Sequence, residues 1–200
     1  MKTLMGGPYS EEESPNVTWL RHTILSAMMN CRKKFTEKHY SEGDAMLHLW
    51  SQIVYCYGDT DIEVVMYVCC YEFSIIIYLM ALLFHSGENQ SKATSNNKNS
   101  SRTLKERKNH GTKTDMRFKW REFELGSSEV GRLDEGENGT KELKEGHLKL
   151  PKTMRDMFVE LVKHHEDKKQ SIRTFGYLMM GKSLFCLSIQ VNNIFNTTFL

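Results

Sequence analysis

The sequence predicts a mainly α-helical protein with a small α+β part at its C-terminal end. Three observations predict this class. Apolar residues recur at helical spacing in three segments, strand-like alternation is short, and one apolar run at residues 64–84 is long enough to be a transmembrane helix. The alternative is a soluble α+β domain in which residues 64–84 form the core.

The composition of the 200-residue chain excludes some classes of protein. Hydrophobic residues make up 40% and charged residues 26%, which excludes a wholly disordered chain. Five cysteines without a CxxC pair do not indicate a disulfide scaffold, and they predict a reducing environment. The first residues lack the apolar stretch of a secretory signal peptide, so we expect any membrane insertion to use an internal segment.

The first helix is predicted over residues 14–30. Ser14 and Pro15 are typical of a helix start, because the N–H that proline lacks has no partner in a first turn. Apolar residues then recur at three- and four-residue spacing, at Val17, Leu20, Ile24, Ala27 and Met28. This spacing predicts an amphipathic helix.

The second helix is predicted over residues 41–58. Ser41 and Asp44 form an approximate capping box, and Gly58 is typical of a helix end. The apolar stripe of this helix contains Met46, Leu49, Trp50, Ile53 and Val54. A turn is predicted between this helix and the apolar run.

Residues 64–84 contain one charged side chain, Glu72. As a helix, these residues would extend about 31 Å, close to the thickness of the hydrocarbon core of a bilayer. A carboxylate near the middle is costly in lipid, and protonation of Glu72 would lower that cost. The β-branched and aromatic residues of the run also suit strands in a buried core.

Charges beside the run predict its orientation. No Lys or Arg occurs in the twenty residues before it, whereas Lys92, Lys98 and Arg102 follow it closely. The positive-inside rule then predicts a single-pass membrane protein with its C-terminal side in the cytoplasm. In that orientation Asn16 is the glycosylation sequon that faces the lumen. The alternative is a soluble protein of the cytoplasm or nucleus.

The chain is predicted to have five parts. They are an acidic tail (1–13), a helical module (14–63), the apolar segment (64–84), a basic flexible linker (85–115) and a small α+β module (116–200) with an acidic loop at 126–147. Within the last part, 116–125 and 183–191 alternate as strands do, and 151–169 follows a helical pattern. Residues 85–121 hold ten Lys or Arg against three Asp or Glu, which favours an anionic partner such as phosphates or lipid head groups.

The helix predicted at 151–169 has the clearest apolar stripe in the chain. It contains Met154, Met157, Phe158, Leu161 and Val162. Such a stripe is typical of a helix that packs on a core or binds a partner. We expect one of these two roles.

Residues 176–183, GYLMMGKS, match the P-loop pattern at Gly176, Gly181, Lys182 and Ser183. In a P-loop, backbone N–H groups and the lysine hold phosphates, and the serine binds Mg²⁺. The residues that follow resemble a strand, whereas a P-loop requires a helix there. A turn before a strand therefore fits better, and we predict no cofactor.

Neither metal binding nor catalysis is predicted. His164 and His165 are adjacent on a helix, so they point about 100° apart and cannot share one ion without other ligands. We interpret them as polar residues at a helix end. The sequence contains no nucleophile motif such as G-x-S-x-G.

Residues 113–121 interleave cations with aromatic rings. They include Lys113, Arg117, Phe118, Lys119, Trp120 and Arg121. Cations neutralise phosphates and aromatic rings stack on bases, so the pattern fits single-stranded nucleic acid. It also fits an anionic lipid surface, or a solvated strand with one buried aromatic face.

These observations predict a non-enzymatic interaction or adaptor protein anchored by one hydrophobic span. Its partner would be an unidentified protein. The alternative is a soluble α+β binding protein that uses the basic segment 92–121 for nucleic acid or an acidic partner.

Overall fold

A mixed sheet of six strands forms the centre of the protein. The computed structural model describes residues 14–32, 41–58, 60–66, 90–103, 106–131, 148–181, 183–191 and 193–199. The helices are α1 (Pro15–Arg32), α2 (Glu42–His48), α3 (Ser51–Tyr55), α4 (Lys92–Asn99) and α5 (Leu150–His164), and a 3-10 helix (Glu166–Lys168) follows α5. The strands are β1 (Glu63–Met66), β2 (Met116–Trp120), β3 (Phe123–Gly131), β4 (Arg173–Met180), β5 (Ser183–Gln190) and β6 (Asn193–Phe199).

The strands lie in the sheet in the same order as in the chain. All neighbours are antiparallel except β3 and β4, which are parallel. Parallel neighbours need a crossover connection, and α5 lies in that connection. The sheet therefore consists of two antiparallel three-stranded halves that meet at the β3–β4 pair.

Two apolar cores lie on opposite faces of the sheet. On one face, Met116, Phe118 and Met179 pack with residues of α2 and α3 such as Met46 and Ile53. On the other face, β4 and β5 pack against α5, in a cluster of Leu150, Met154, Leu178, Met180 and Ile189. Successive residues of a strand point to opposite faces, which explains why β4 contributes to both cores.

The prediction of a mainly α-helical fold is wrong, because β1, β4 and β6 complete a six-stranded sheet. Strand β4 lacks an alternating pattern for a physical reason. Leu178, Met179 and Met180 are successive residues and all are buried, since helices cover both faces of the sheet at this strand. A strand buried on both faces is a continuous apolar run in sequence, as parallel sheets generally show.

The prediction of a transmembrane helix at 64–84 is also wrong, and with it the single-pass membrane location with a cytoplasmic C-terminal side. Val64, Val65 and Met66 belong to β1, where they pair with Phe118, Arg117 and Met116 of β2. Among the residues that the structure describes, no helix combines the length and the apolar composition that crossing a bilayer requires. Residues 67–84, including Glu72, lie outside the described residues. The β-branched start of the run favours a strand, and the length criterion overlooked this.

The N-terminal helices begin where the sequence predicts. Ser41 Oγ accepts a hydrogen bond from Asp44 N at 3.1 Å, and Asp44 Oδ2 accepts one from Ser41 N at 2.8 Å, which confirms the capping box. The helix predicted over 41–58 is divided into α2 and α3, and both pieces contribute to the same core. Asn16 lies in the first turn of α1.

An aromatic cluster joins α3 to the sheet. Tyr57 and Tyr177 share a hydrogen bond of 2.7 Å between their hydroxyl oxygens, and Phe118 and Phe175 pack around them. Burial raises the pKa of both tyrosine hydroxyls above the ordinary value of 10.0. Burial also raises the pKa of the Cys186 thiol to about 11. The folded state therefore favours the neutral forms of these groups.

We expect the protein to lose thermal stability as the pH rises above about 9, because tyrosine in an unfolded chain ionises near pH 10 and cysteine near 8.5. The pKa values of Tyr57, Tyr177 and Cys186 are higher in the folded chain than in the unfolded chain. These groups therefore contribute their full stabilisation below the unfolded pKa, and that contribution is lost as the pH rises towards the folded pKa. Melting temperatures from pH 7 to 11 test this. The Tyr57→Phe/Tyr177→Phe variant should show a shallower decline, and Tyr55→Phe, whose side chain is exposed, should follow the wild type. An equal decline in all three proteins would contradict the prediction.

Candidate functional site

A bulge in the β2–β3 hairpin directs Glu124 to the face of the sheet that α4 covers. Phe118 pairs with Gly126 and Lys119 pairs with Glu124, so β3 has one extra residue, Leu125, between these pairs. An extra residue reverses the alternation of a strand. It places Glu124 beside Arg117, whose Nη1 donates a hydrogen bond to Glu124 Oε1 at 2.7 Å.

Glu124 also holds the first turn of α4. Its Oε2 accepts hydrogen bonds from Ser91 Oγ at 2.6 Å and from Ala93 N at 3.1 Å, and its Oε1 accepts one from Lys92 N at 2.9 Å. These N–H groups have no partner within the helix, and a negative charge is favourable at a helix N-terminus. Only 5% of Glu124 is exposed, and its carboxylate, paired with Arg117, fixes α4 to the sheet through these hydrogen bonds.

The described residues on either side of α4, 90–91 and 111–113, pair with each other. Gln90 and Lys113 form an antiparallel bridge, and Ser91 N donates to the Thr112 carbonyl at 2.8 Å. Gly111 packs directly on Ser91, since a Cβ at position 111 would lie 2.0 Å from the Ser91 carbonyl oxygen. The described part of the segment predicted as a flexible linker, residues 90–103 and 106–115, therefore contains a helix and is tied to the sheet near Ser91 and Thr112.

Asn99 ties the far end of the same segment. Its Nδ2 donates to the carbonyls of Ser95 at 2.6 Å and Asn109 at 2.8 Å, and its Oδ1 accepts from Asn109 N at 2.8 Å. Lys98 Nζ donates to the His110 carbonyl at 3.2 Å. Residues 107–110 consequently lie beside the end of α4.

The exposed charges of this region are mostly positive. Within residues 92–103 and 106–121, Glu106 is the one exposed acidic side chain. The exposed cations define the basic surface, which consists of Lys92, Lys98, Arg102, Arg107, Lys108, Lys113 and Arg121. Because residues 90–113 are tied to the sheet, the six cations of their described part are carried on a positioned segment, and Arg121 lies in the β2–β3 turn.

The β2–β3 turn adds an aromatic platform to the basic surface. The guanidinium of Arg121 lies 4.6 Å from the centre of the Trp120 ring, and Trp120 stacks on Phe123 with ring centres 6.4 Å apart. Trp120 is partly exposed. Arg121 has a φ of 56°, as a tight hairpin turn requires of one of its residues.

The structure divides the residues predicted at 113–121 into two groups. Phe118 is fully buried in the core, Arg117 binds Glu124, and Lys119 forms an ion pair of 3.0 Å with Glu63. The other residues, Lys113, Trp120 and Arg121, lie at the surface. Half of the predicted set therefore has a role within the fold.

A cavity of about 140 Å³ lies between α4, the β2–β3 turn and α5. Its polar lining includes Lys92, Asn96 and Glu160, and Asn96 Nδ2 donates to Glu160 Oε1 at 3.0 Å. The rings of His164 and His165 pack edge-on against Phe123. In the described residues no cluster of three or more His, Cys, Asp or Glu could hold a metal ion.

The segment that matches the P-loop pattern is strand and turn. Gly176 lies in β4, which pairs with strands on both sides, so its backbone groups are used in the sheet. Gly181 forms the following turn with a φ of 57°, and Ser183 begins β5. Lys182 lies outside the described residues. Gly176 instead allows α5 to approach, since a Cβ there would lie 2.5 Å from Met154 Sδ.

The apolar stripe of α5 faces the sheet. Met154 and Met157 are fully buried, and 6% of Leu161 is exposed. Phe158 and Val162 are partly buried at the margin of the same face. These side chains pack within the fold.

No protein-family model, curated protein or solved structure matches this chain. The sequence did not reveal Glu124, Ser91 and Asn99, although these residues position the basic surface. Ser91 alone has a sequence signal, as a typical N-cap residue before α4.

Proposed function

We propose that the protein is a binding protein that holds single-stranded nucleic acid on its basic surface. The observation that carries this proposal is the excess of exposed cations over exposed acidic side chains in this region. Seven exposed cations and two exposed acids, Glu106 and Glu122, occur in the described part of residues 92–122. Phosphates release their counterions when Lys and Arg neutralise them, so such a surface attracts a polyanion.

One feature favours a single strand over other polyanions, and a second favours the binding of any anion. The partly exposed Trp120 and the Arg121 guanidinium over its ring place an aromatic side chain and a cation together at the β2–β3 turn, as proteins that bind single strands do. The ion pair of Arg117 with Glu124 and the Asn99 hydrogen bonds hold the loop in place. A positioned loop loses little conformational entropy when it binds.

A single-stranded RNA of twenty uridines tests the proposal. We expect fluorescence anisotropy to show binding whose affinity falls about 100-fold between 50 and 200 mM salt, if about five phosphates are neutralised. The Lys98→Ala/Arg107→Ala/Lys108→Ala variant should reduce the slope of log affinity against log salt by about 2.

The matched control removes three exposed cations elsewhere, by Lys152→Ala/Lys168→Ala/Lys169→Ala. We expect this control to bind RNA like the wild type. Equal loss in both variants, or no salt-dependent binding by the wild type, would overturn the proposal. Competition by poly-L-glutamate at the same charge concentration would identify an acidic protein as the better partner.

A further inference from the structure

Helix α1 packs on the fold through polar and aromatic side chains. Trp19 Nε1 donates a hydrogen bond to the Gln52 carbonyl at 2.7 Å, and Asn30 Nδ2 donates to the His48 carbonyl. Trp19 and Asn30 are eleven residues apart, which places them on one side of a helix. These bonds fix which side of α1 faces the rest of the protein.

The apolar stripe of α1 points away from the fold. The exposed fractions of its large side chains are 47% for Val17, 51% for Leu20, 43% for Ile24 and 36% for Met28. An amphipathic helix of a globular protein ordinarily buries such a stripe. Contiguous exposed apolar residues mark an interaction surface.

The spacing of the stripe matches the seam of a two-stranded coiled coil. Val17 and Ile24 occupy successive a positions, and Leu20 and Ala27 occupy the d positions that follow them. In parallel coiled coils, β-branched residues at a with leucine at d favour two strands over three, and Val17, Ile24 and Leu20 fit this pattern, whereas Ala27 departs from it. An identical seam is complementary to itself, as a two-fold interface requires.

The side chains beside the seam also permit two α1 helices to pair in parallel. Arg21 is the one charged residue at the flanking e and g positions of 16–30, and in a parallel pair it stands opposite Asn16 of the other helix. Thr23 in the same way stands opposite Met28. No like charges face each other across this pair of helices.

We propose that a second copy of this chain covers the apolar face of α1, with the two α1 helices packed in parallel. The seam contains about two heptads, so the interface is small and we expect a weak dimer. The dimer would carry two basic surfaces. This inference does not depend on the proposed function.

Sedimentation equilibrium of the full chain at 5–300 μM tests the inference. We expect the wild type to change from monomer to dimer across this range, and Leu20→Asp/Ile24→Asp to remain a monomer throughout. The matched control is Leu148→Asp/Val159→Asp, which changes two exposed apolar residues outside α1 and should dimerise like the wild type. Circular dichroism should show the same folded spectrum for all three proteins, because every substituted side chain is exposed.

Three results would overturn the inference. The first is a wild type that stays monomeric at 300 μM, which would leave the α1 face for a different protein. The second is a dimer that persists in Leu20→Asp/Ile24→Asp. The third is a dimer that Leu148→Asp/Val159→Asp abolishes, since the interface would then lie near α5.

Discussion

Replacement of Arg117 by methionine should lower the free energy of unfolding by about 3–5 kcal/mol, because it leaves the buried Glu124 carboxylate without its cation. Methionine preserves most of the side-chain volume, so the loss measures charge and hydrogen bonding. Urea unfolding followed by circular dichroism at pH 7 provides the measurement. The effect should be large although Arg117 resembled a surface binding residue in the sequence.

Lys119→Met is the matched control, since Lys119 lies on the same strand and also forms an ion pair. Its partner Glu63 has 53% of its side chain exposed, so we expect a loss below about 1 kcal/mol. Arg117→Met/Glu124→Leu should be more stable than Arg117→Met, because no buried charge remains unpaired. Equal losses in Arg117→Met and Lys119→Met would show that the ion pair does not hold α4.

Substitutions at Gly176 and Met154 should have strongly non-additive effects on the free energy of unfolding, because α5 packs on β4 at this point. A methyl group at position 176 would lie 2.5 Å from Met154 Sδ and 3.1 Å from Leu150 Cδ1. We expect Gly176→Ala to cost about 1–3 kcal/mol by overpacking and Met154→Ala about 2–5 kcal/mol by leaving a cavity. The double variant should lose less than the sum by about 0.5–3 kcal/mol, since the new methyl group enters the space of the lost side chain.

Val159→Ala tests whether the loss of unfolding free energy expected for Met154→Ala depends on the buried face of α5. Val159 is on the same helix with 37% of the residue exposed, and we expect a change of at most about 0.5 kcal/mol. Additive losses at positions 154 and 176 would mean that the two residues do not share one packing site. Unfolding in urea gives all four free energies.

Local signals in the sequence predicted the elements that depend on local physics. The Ser41–Asp44 box and the periodic stripe of α5 correspond to structure because capping and amphipathicity act within a few residues. The apolar run misled because its length favoured a bilayer span over the buried strand that its β-branched start, Val64 and Val65, also suited. Burial of β4 on both faces removed the alternation that identifies a strand.

The site could be predicted only in part, for a related reason. The excess of cations in 92–121 is visible in composition, and it corresponds to the exposed residues Lys98, Arg107 and Lys108. The bulge at Leu125 is set by the pairing of β2 with β3. Sequence periodicity therefore could not show that Glu124 turns inward to bind Arg117.

The meeting of the two half-sheets at β3 and β4 has a consequence for synthesis on the ribosome. Strands β1 to β3 emerge first, and the pairing edge of β3 then has no neighbour until α5 and β4 have also emerged. An open strand edge with buried-type residues such as Val130 invites pairing with other chains. A nascent chain that stalls between β3 and β4 would therefore present an unpaired strand edge and be prone to aggregation.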